Sequence, residues 1–489
     1  MNRTVRRIIG DMRSRDALAR TGIVKGADQQ FMREHNRYLV LNCVREHGPI
    51  ARAATARLTS LSRTTVGTIM DALLADDLVR EGETQSATSA GGRPAILVYF
   101  NASAGYVIGV DMGRSHLTIL LTDLASHLVA RRSGAFSTDL GPDVCLTQIV
   151  DTLNTFLSEQ GVAWSRVVGV CIGIPAPLDT RLHRLYSPPR MPGWHGTEVM
   201  KFLRQRLAVP VYVENDANLG ALGESRYGAG RGVTDLAYVK IGTGIGGGLV
   251  VGGQVYRGSR GSAGEIGHVA IDRGGPICTC GNQGCLEAVA SADAIVADAI
   301  AASSLQGGTS PHATARGPLG SSPNPDIADV VQAALLGDPA CRAAIQRAGE
   351  HIGVALANLV NLANPSLILV DGAVARAGDL LLDPIRRAVA SRSLAVASRH
   401  TRIAAGELDD NAIALGGVAT VLDAAFTPRT GSTPQSARTD GSAPAIHAGV
   451  ADGALSTTSI PGQSAARDPP FAGEHIDAVV SLAMSYPWP

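Results

Sequence analysis

One pattern occurs twice in this chain and limits its architecture more than any other feature. Tyr106 to Leu124, "YVIGVDMGRSHLTILLTDL", and Leu236 to Val255, "LAYVKIGTGIGGGLVVGGQV", each read as strand, glycine turn, strand. The turns sit between β-branched runs, and their glycines let backbone N–H groups approach a ligand closely. Two such units predict two similar halves facing a shared cleft, a paired-lobe fold for a nucleotide or a sugar. Around them, strand-like Val/Ile/Leu runs alternate with Ala-rich helical runs, the mark of an α/β domain. Taken singly, "GVDMGR" (Gly109 to Arg114) and "IGTGIGGG" (Ile241 to Gly248) fit an ordinary hairpin as well as a phosphate cradle.

Composition divides the rest of the chain. Its 489 residues allow three domains, and its net charge of zero points to no partner. The charge is unevenly spread, however: Met1 to Met70 holds 13 Lys+Arg against 5 Asp+Glu, a basic end suited to a polyanion. Residues 428–489, beginning "PRTGSTPQSARTDGSAPA", are Pro/Ser/Thr/Gly/Ala-rich without period and are expected to form a disordered tail. A similar stretch, 303–324, reads as a surface insertion in the α/β domain. No apolar run is long enough to span a membrane, and no h-region follows the N-terminal arginines. Seven cysteines without regular pairing suit a reducing compartment. A cytoplasmic protein is expected, with no membrane partner.

The basic segment carries three helical patterns, around Arg37 to Glu46, Ala51 to Leu58, and Arg63 onward. In the third, Val66, Ile69, Met70, Leu73 and Leu74 follow i, i+3, i+4, i+7, i+8 spacing behind a Ser62 N-cap. The opposite face offers Arg63, Thr64, Thr65 and Thr68, short polar groups and one cation suited to bases and phosphates in a major groove. "LVREGETQSATSAGGRPAILVYF" then reads as a two-stranded wing with Arg93 near its tip. A winged helix-turn-helix over residues 30–100 is expected. The alternative is a small helical dimerisation domain.

Two further features carry chemistry. In "VYVENDANLGALGE", Asp216 follows a strand and precedes a helix, where it suits a general base or equally a helix N-cap. Asn215 beside it offers donor and acceptor together, as a sugar hydroxyl requires. "GEIGHVAIDRGGPICTCGNQGCLEA" sets His268, Cys278, Cys280 and Cys285 at loop-forming spacing. Three thiolates and an imidazole suit Zn²⁺ in a closed, structural tetrahedral site. The alternative is a cluster of free thiols.

These residues resemble the ROK family, bacterial sugar kinases and sugar-responsive repressors built on the two-lobed actin-like, hexokinase-type fold. The resemblance covers Gly105 to Ala425 and runs through "GVDMG", "GIPAPLD", "PPRMPGW", "ENDAN", "GTGIGGGLV", "GEIGH", "CTCGNQGCLE" and "LVDGAVARAG" in the family's order. The segment before it resembles the winged helix-turn-helix of the regulator branch. The resemblance implies a ROK domain over 101–427 in which Asn215, Asp216, Glu265, His268 and Glu287 contact the sugar, lined also by Gly173 to Pro177. Asp216 stands at the kinases' catalytic base. Asp111, Gly113, Gly242, Thr243 and Gly244 stand at the nucleotide-phosphate positions, and Gly372 near the adenine. The chain departs from the kinases in the first turn, where Asp-x-Gly-Gly-Thr becomes Asp111, Met112, Gly113, Arg114, Ser115. The expected function is a DNA-binding repressor of carbohydrate-metabolism genes, with structural zinc, a sugar effector, operator DNA as partner, and homodimeric or homotetrameric assembly. The alternatives are an ATP-dependent hexose kinase and a sugar-binding module whose helical end serves only assembly.

Overall fold

A computed structural model of the protein describes residues 29–85, 95–186, 189–306 and 324–427. The repeated pattern becomes the centre of two five-stranded sheets. In the first lobe, β4 (Tyr106–Met112) and β5 (His116–Asp123) pair antiparallel around the first glycine turn, and β6 (Leu128–Ala135) extends them. On its other edge β4 runs parallel to β7 (Val167–Ile174), which runs parallel to β10 (Val211–Asn215). The second lobe repeats this arrangement. There β11 (Leu236–Ile241) pairs antiparallel with β12 (Ile245–Val251), which pairs with β13 (Gln254–Val255). Parallel partners β14 (Leu367–Asp371) and β15 (Arg402–Ala405) complete the sheet on the far side of β11. Every residue of β7, "VVGVCIGI", is buried, as a parallel strand covered on both faces requires. Between β7 and β10, the short pair β8 (Leu178–Asp179) and β9 (Arg184–Leu185) starts a connecting loop.

Helices cover the sheets. α4 (Pro142–Glu159) and α5 (Val199–Arg204) belong to the first lobe, and α6 (Asp216–Tyr227) follows β10 directly. The second lobe carries α7 (Leu286–Ala290), α8 (Ala292–Gln306), α9 (Ile327–Leu335), α10 (Pro339–Ala363), α11 (Asp379–Arg392) and α12 (Ala395–Ser398). Finally α13 (Ala412–Phe426) returns to the first lobe. It lies so close that a Cβ on Gly109 would come within 1.9 Å of the Ala414 carbonyl oxygen, and one on Gly416 within 1.9 Å of that of Leu219. Glycine at both positions lets backbone pack on backbone. Residues 303–306, expected to open the insertion, form the end of α8; residues 307–323 and the tail from 428 lie outside the described residues. Among the described residues no helix is long and apolar enough to cross a membrane.

The N-terminal segment folds as α1 (Gln29–His47), β1 (Ile50–Ala51), α2 (Arg52–Thr59), α3 (Arg63–Ala75), and a hairpin of β2 (Val79–Gln85) with β3 (Ala95–Phe100). α1 is longer than its apolar spacing indicates, and it buries Tyr38, Val40, Leu41 and Val44. In α3, Val66, Met70 and Leu73 are buried and Ser62 accepts the Thr65 N–H at 3.0 Å, so the amphipathic reading and the cap both hold. β1 pairs Ile50 with Val98 of β3, a two-residue strand too short to leave a periodic signal. The segment is joined to α13: Asn42 donates to the Phe426 carbonyl at 2.8 Å, Arg45 lies 4.9 Å from the Phe426 ring centre, and Phe100 meets that ring edge-on at 6.0 Å.

Candidate effector cleft, metal cluster and DNA-facing helix

The turns of the two hairpins, the start of α6 and the Cys/His loop enclose a cleft of about 490 Å³. Asp111, Gly113, Asn215, Asp216, Gly242, Thr243, Gly244, Glu265, His268 and Glu287 all line it, as do Pro175 to Pro177 and Gly372. Residues spread over more than 250 positions of sequence therefore meet at one place because the two sheets present equivalent turns to each other.

Asp216 opens α6, but the cap belongs to its neighbour: Asn215 accepts the Asn218 N–H at 3.1 Å and donates to the Ala176 carbonyl at 3.3 Å. Asp216 accepts the Ala217 N–H through Oδ1 at 2.8 Å and the Lys240 ammonium through Oδ2 at 3.1 Å. Asp111, buried at the end of β4, has its Oδ2 3.0 Å from Nε2 of His116. Burial opposes ionisation of Asp111, but the charge of Lys240 and the contact with His116 outweigh it and hold the carboxyl below its usual range. A Cβ on Gly113 would overlap that imidazole at 2.1 Å, so His116 fills the space beneath the first turn. Arg114 lines the cleft with its guanidinium 3.9 Å from Asp139.

On the opposite wall, Glu287 accepts the Ile245 N–H at 3.0 Å and the Thr279 hydroxyl at 3.4 Å. A Cβ on Gly244 would lie 2.6 Å from the same carboxylate, so this turn needs glycine for close approach rather than for an unusual φ. Arg190, from the loop after β9, reaches across to Glu287 at 3.6 Å and Asp293 at 2.6 Å. Burial, then the charges of Asp216 and Glu287, push the Glu265 carboxyl up to about 7. Lys240, His116 and Arg190 were not singled out by sequence reading. Lys240 left a signal, a lone cation in the apolar run "LAYVKI". His116 and Arg190 act through partners distant in sequence, which no local pattern records.

His268, Cys278, Cys280 and Cys285 offer donor atoms that all lie within 4.8 Å of one another. Nδ1 of His268 is 3.7 Å from Sγ of Cys278, and Sγ of Cys280 is 3.7 Å from that of Cys285. Ligands about 2.0–2.3 Å from a tetrahedral centre would be separated by roughly 3.5–3.8 Å; the two 3.7 Å pairs match that spacing, and the donor chemistry of the set fits a zinc ion. Cys285 is also the N-cap residue of α7, and Glu287 stands in that helix's first turn. Cys43, Cys145, Cys171 and Cys341 are buried elsewhere, as ordinary core thiols are.

On α3, Arg63, Thr64 and Thr68 are exposed. Thr65 is half-buried, with its hydroxyl 2.8 Å from that of Ser62, so it serves the cap more than the outer face. Arg52 is committed to Asp71 and Glu81 and ties α2, α3 and β2 together. Arg93 lies outside the described residues.

Residues 107–424 match the ROK family. A xylose repressor from Bacillus subtilis strain 168 is 30% identical over 398 residues, 81% of this chain and 97% of the repressor. A solved ROK family transcriptional regulator, described as a homologue of the E. coli MLC protein, superposes with a TM-score of 0.69 and 27% identity over 81% of this chain and 97% of its own. A ROK family glucokinase from Streptomyces griseus, solved with glucose and AMPPNP, gives a TM-score of 0.57 and 30% identity, covering 65% of this chain and 99% of the enzyme.

Proposed function

The chain belongs to the ROK family, and from that membership we propose that it is a DNA-binding transcription regulator, a repressor of carbohydrate-metabolism genes controlled by a sugar in the interlobe cleft. One observation carries this reading. The likeness to a repressor and to a regulator structure extends over about 81% of the chain, whereas the glucokinase covers 65%, and the chain has a winged helix-turn-helix ahead of its cleft. Arg63, Thr64 and Thr68 face the major groove. Two copies on a two-fold operator give the affinity that one helix-turn-helix lacks.

In the cleft, Asn215, Asp216, Glu265, His268 and Glu287 take the sugar hydroxyls. Zn²⁺ on His268, Cys278, Cys280 and Cys285 is structural. Four protein ligands leave no position for water, so the ion's part is to hold the loop between Glu265 and Glu287 in register. α13 supports a route from ligand to DNA. Ile413 near its start lines the cleft, and Phe426 at its end touches α1 and β3. The test is selection of a binding site from random DNA, then anisotropy of the selected duplex with a panel of neutral sugars. A salt-dependent, two-fold site released by one class of sugar is expected; absence of any selected site would remove the repressor reading.

A further inference from the structure

Between β9 and α5 the chain passes along the cleft, and the first lobe fixes its course. Met191 and Trp194 are 1% and 0% exposed in that lobe's core. The Trp194 indole N–H donates to the Thr138 carbonyl at 2.9 Å. Arg190, the residue before Met191, reaches the other lobe instead. Its Nη2 lies 2.6 Å from Oδ2 of Asp293, in the first turn of α8, and its Nη1 lies 3.6 Å from Oε1 of Glu287, in the first turn of α7. Its stem crosses the second glycine turn, with Cδ 3.4 Å from where a Cβ on Gly244 would stand. A backbone anchored in one lobe thus seats a cation on the other.

The two ion pairs differ in kind. Asp293 is largely exposed, whereas the Glu287 side chain is nearly buried and that of Arg190 mostly so. A pair held out of water is missed more when one partner is removed than a solvated pair is. The Arg190 Nε is buried without a hydrogen-bond partner, so the two carboxylates orient the guanidinium. Glu287 is in turn held by three groups: the Ile245 N–H on Oε2, and the Thr279 hydroxyl and Arg190 on Oε1. An ionised carboxylate offers about four acceptor positions, so Oε2 is the oxygen with a position to spare for a hydroxyl.

We propose that Arg190 is a positioning residue of the effector site: a clasp from the first lobe, steadied by Asp293, that holds Glu287 in the orientation in which it accepts a sugar hydroxyl. It rests on the reading of the cleft as an effector site, and it adds that both lobes must be in place for Glu287 to be set.

The test is calorimetric titration of full-length, zinc-loaded protein with D-glucose, D-galactose, D-mannose, D-xylose and L-arabinose. Arg190→Met keeps a stem over the glycine turn and removes the charge. It should weaken binding of the tightest of these sugars about tenfold, and Asp293→Asn, which loosens only the solvated pair, about threefold. Because Arg190 acts through Glu287, its removal in a Glu287→Gln background should cost less than about twofold more. A folded Arg190→Met protein, verified by circular dichroism, that binds as tightly as wild type overturns the proposal. An undiminished tenfold loss in the Glu287→Gln background overturns it equally, since Arg190 would then act without Glu287. Where Arg190→Met does not fold, Asp293→Asn decides, and unchanged binding there overturns the proposal. Operator selection is run on the same wild-type preparation. A wild type that selects no operator defeats the functional reading, while one that selects operator but binds none of the five sugars defeats this inference alone.

Discussion

Glu265 carries a pH dependence that can be given a sign. Its carboxyl is pushed up to about 7 in the folded chain, against roughly 4.3 in an unfolded one. Between these values the folded state binds a proton that the unfolded state has released, so stability falls as pH rises from the lower value to the higher. Glu265→Gln cannot ionise. Its melting temperature should decline less than that of wild type between about pH 5 and pH 7, and parallel declines in scanning calorimetry would refute the assignment. On the proposed DNA face, Arg63 is exposed at the head of α3. Arg63→Ala should weaken operator binding by about 1–3 kcal/mol if it reads a base, measured by anisotropy at fixed salt; unchanged affinity would remove α3 as the reading helix. Arg63 was legible because helical spacing defines it, whereas Glu265 was legible only through the family resemblance. Thr65 was only partly so, since its hydroxyl is taken up by Ser62.

At the scale of elements, the Cys/His loop and α13 are the informative cases. The loop links its donor set to the cleft by short steps: Thr279 donates to Glu287, and Cys285 directly precedes the helix that carries Glu287. Cys280→Ser removes one thiolate, and metal-binding energy is folding energy for such a loop. Zinc content by elemental analysis should fall, and sugar should no longer release the operator, while operator affinity without sugar persists. A zinc-free variant with an intact sugar response would show the metal to be incidental. For α13 the sequence "AIALGGVATVLDAAF" reads as an apolar helix, but nothing in it tells which strands it meets. That follows from the glycine contacts with Ala414 and Leu219, which exist only once β4, α6 and α13 are assembled.

At the scale of the whole molecule, two halves and an appended domain share one helix. Ligand can shift DNA binding only through differential affinity for two arrangements, and α13 runs from the cleft at Ile413 to the contacts of Phe426 with α1 and β3. Phe426→Leu keeps an apolar side chain but loses the edge contact with Phe100 and the face offered to Arg45. It should retain operator binding yet need a higher sugar concentration for half-release, read as a shift in the sugar titration; an unshifted curve would take α13 out of the route. With Lys240 on Asp216 and His116 beneath the first turn, ATP-dependent phosphorylation of hexoses should stay well below about 1 s⁻¹. A coupled ADP-release assay at or above that rate would restore the kinase reading.

The repeated strand–turn–strand units, the helix-turn-helix spacing and the His/Cys₃ cluster were determined by the sequence itself, because each is written in neighbouring residues whose period or spacing maps directly onto local geometry. The two lobes followed from the repeat. Tertiary structure alone decided which groups oppose one another: Lys240 against Asp216, Arg190 against Glu287 and Asp293, Phe426 against Asn42 and Phe100. It also decided that Asn215 rather than Asp216 caps α6. Partners 24 to 384 positions apart leave no common local pattern, since a side chain's partner is set by how sheets and helices stack rather than by what precedes it in the chain.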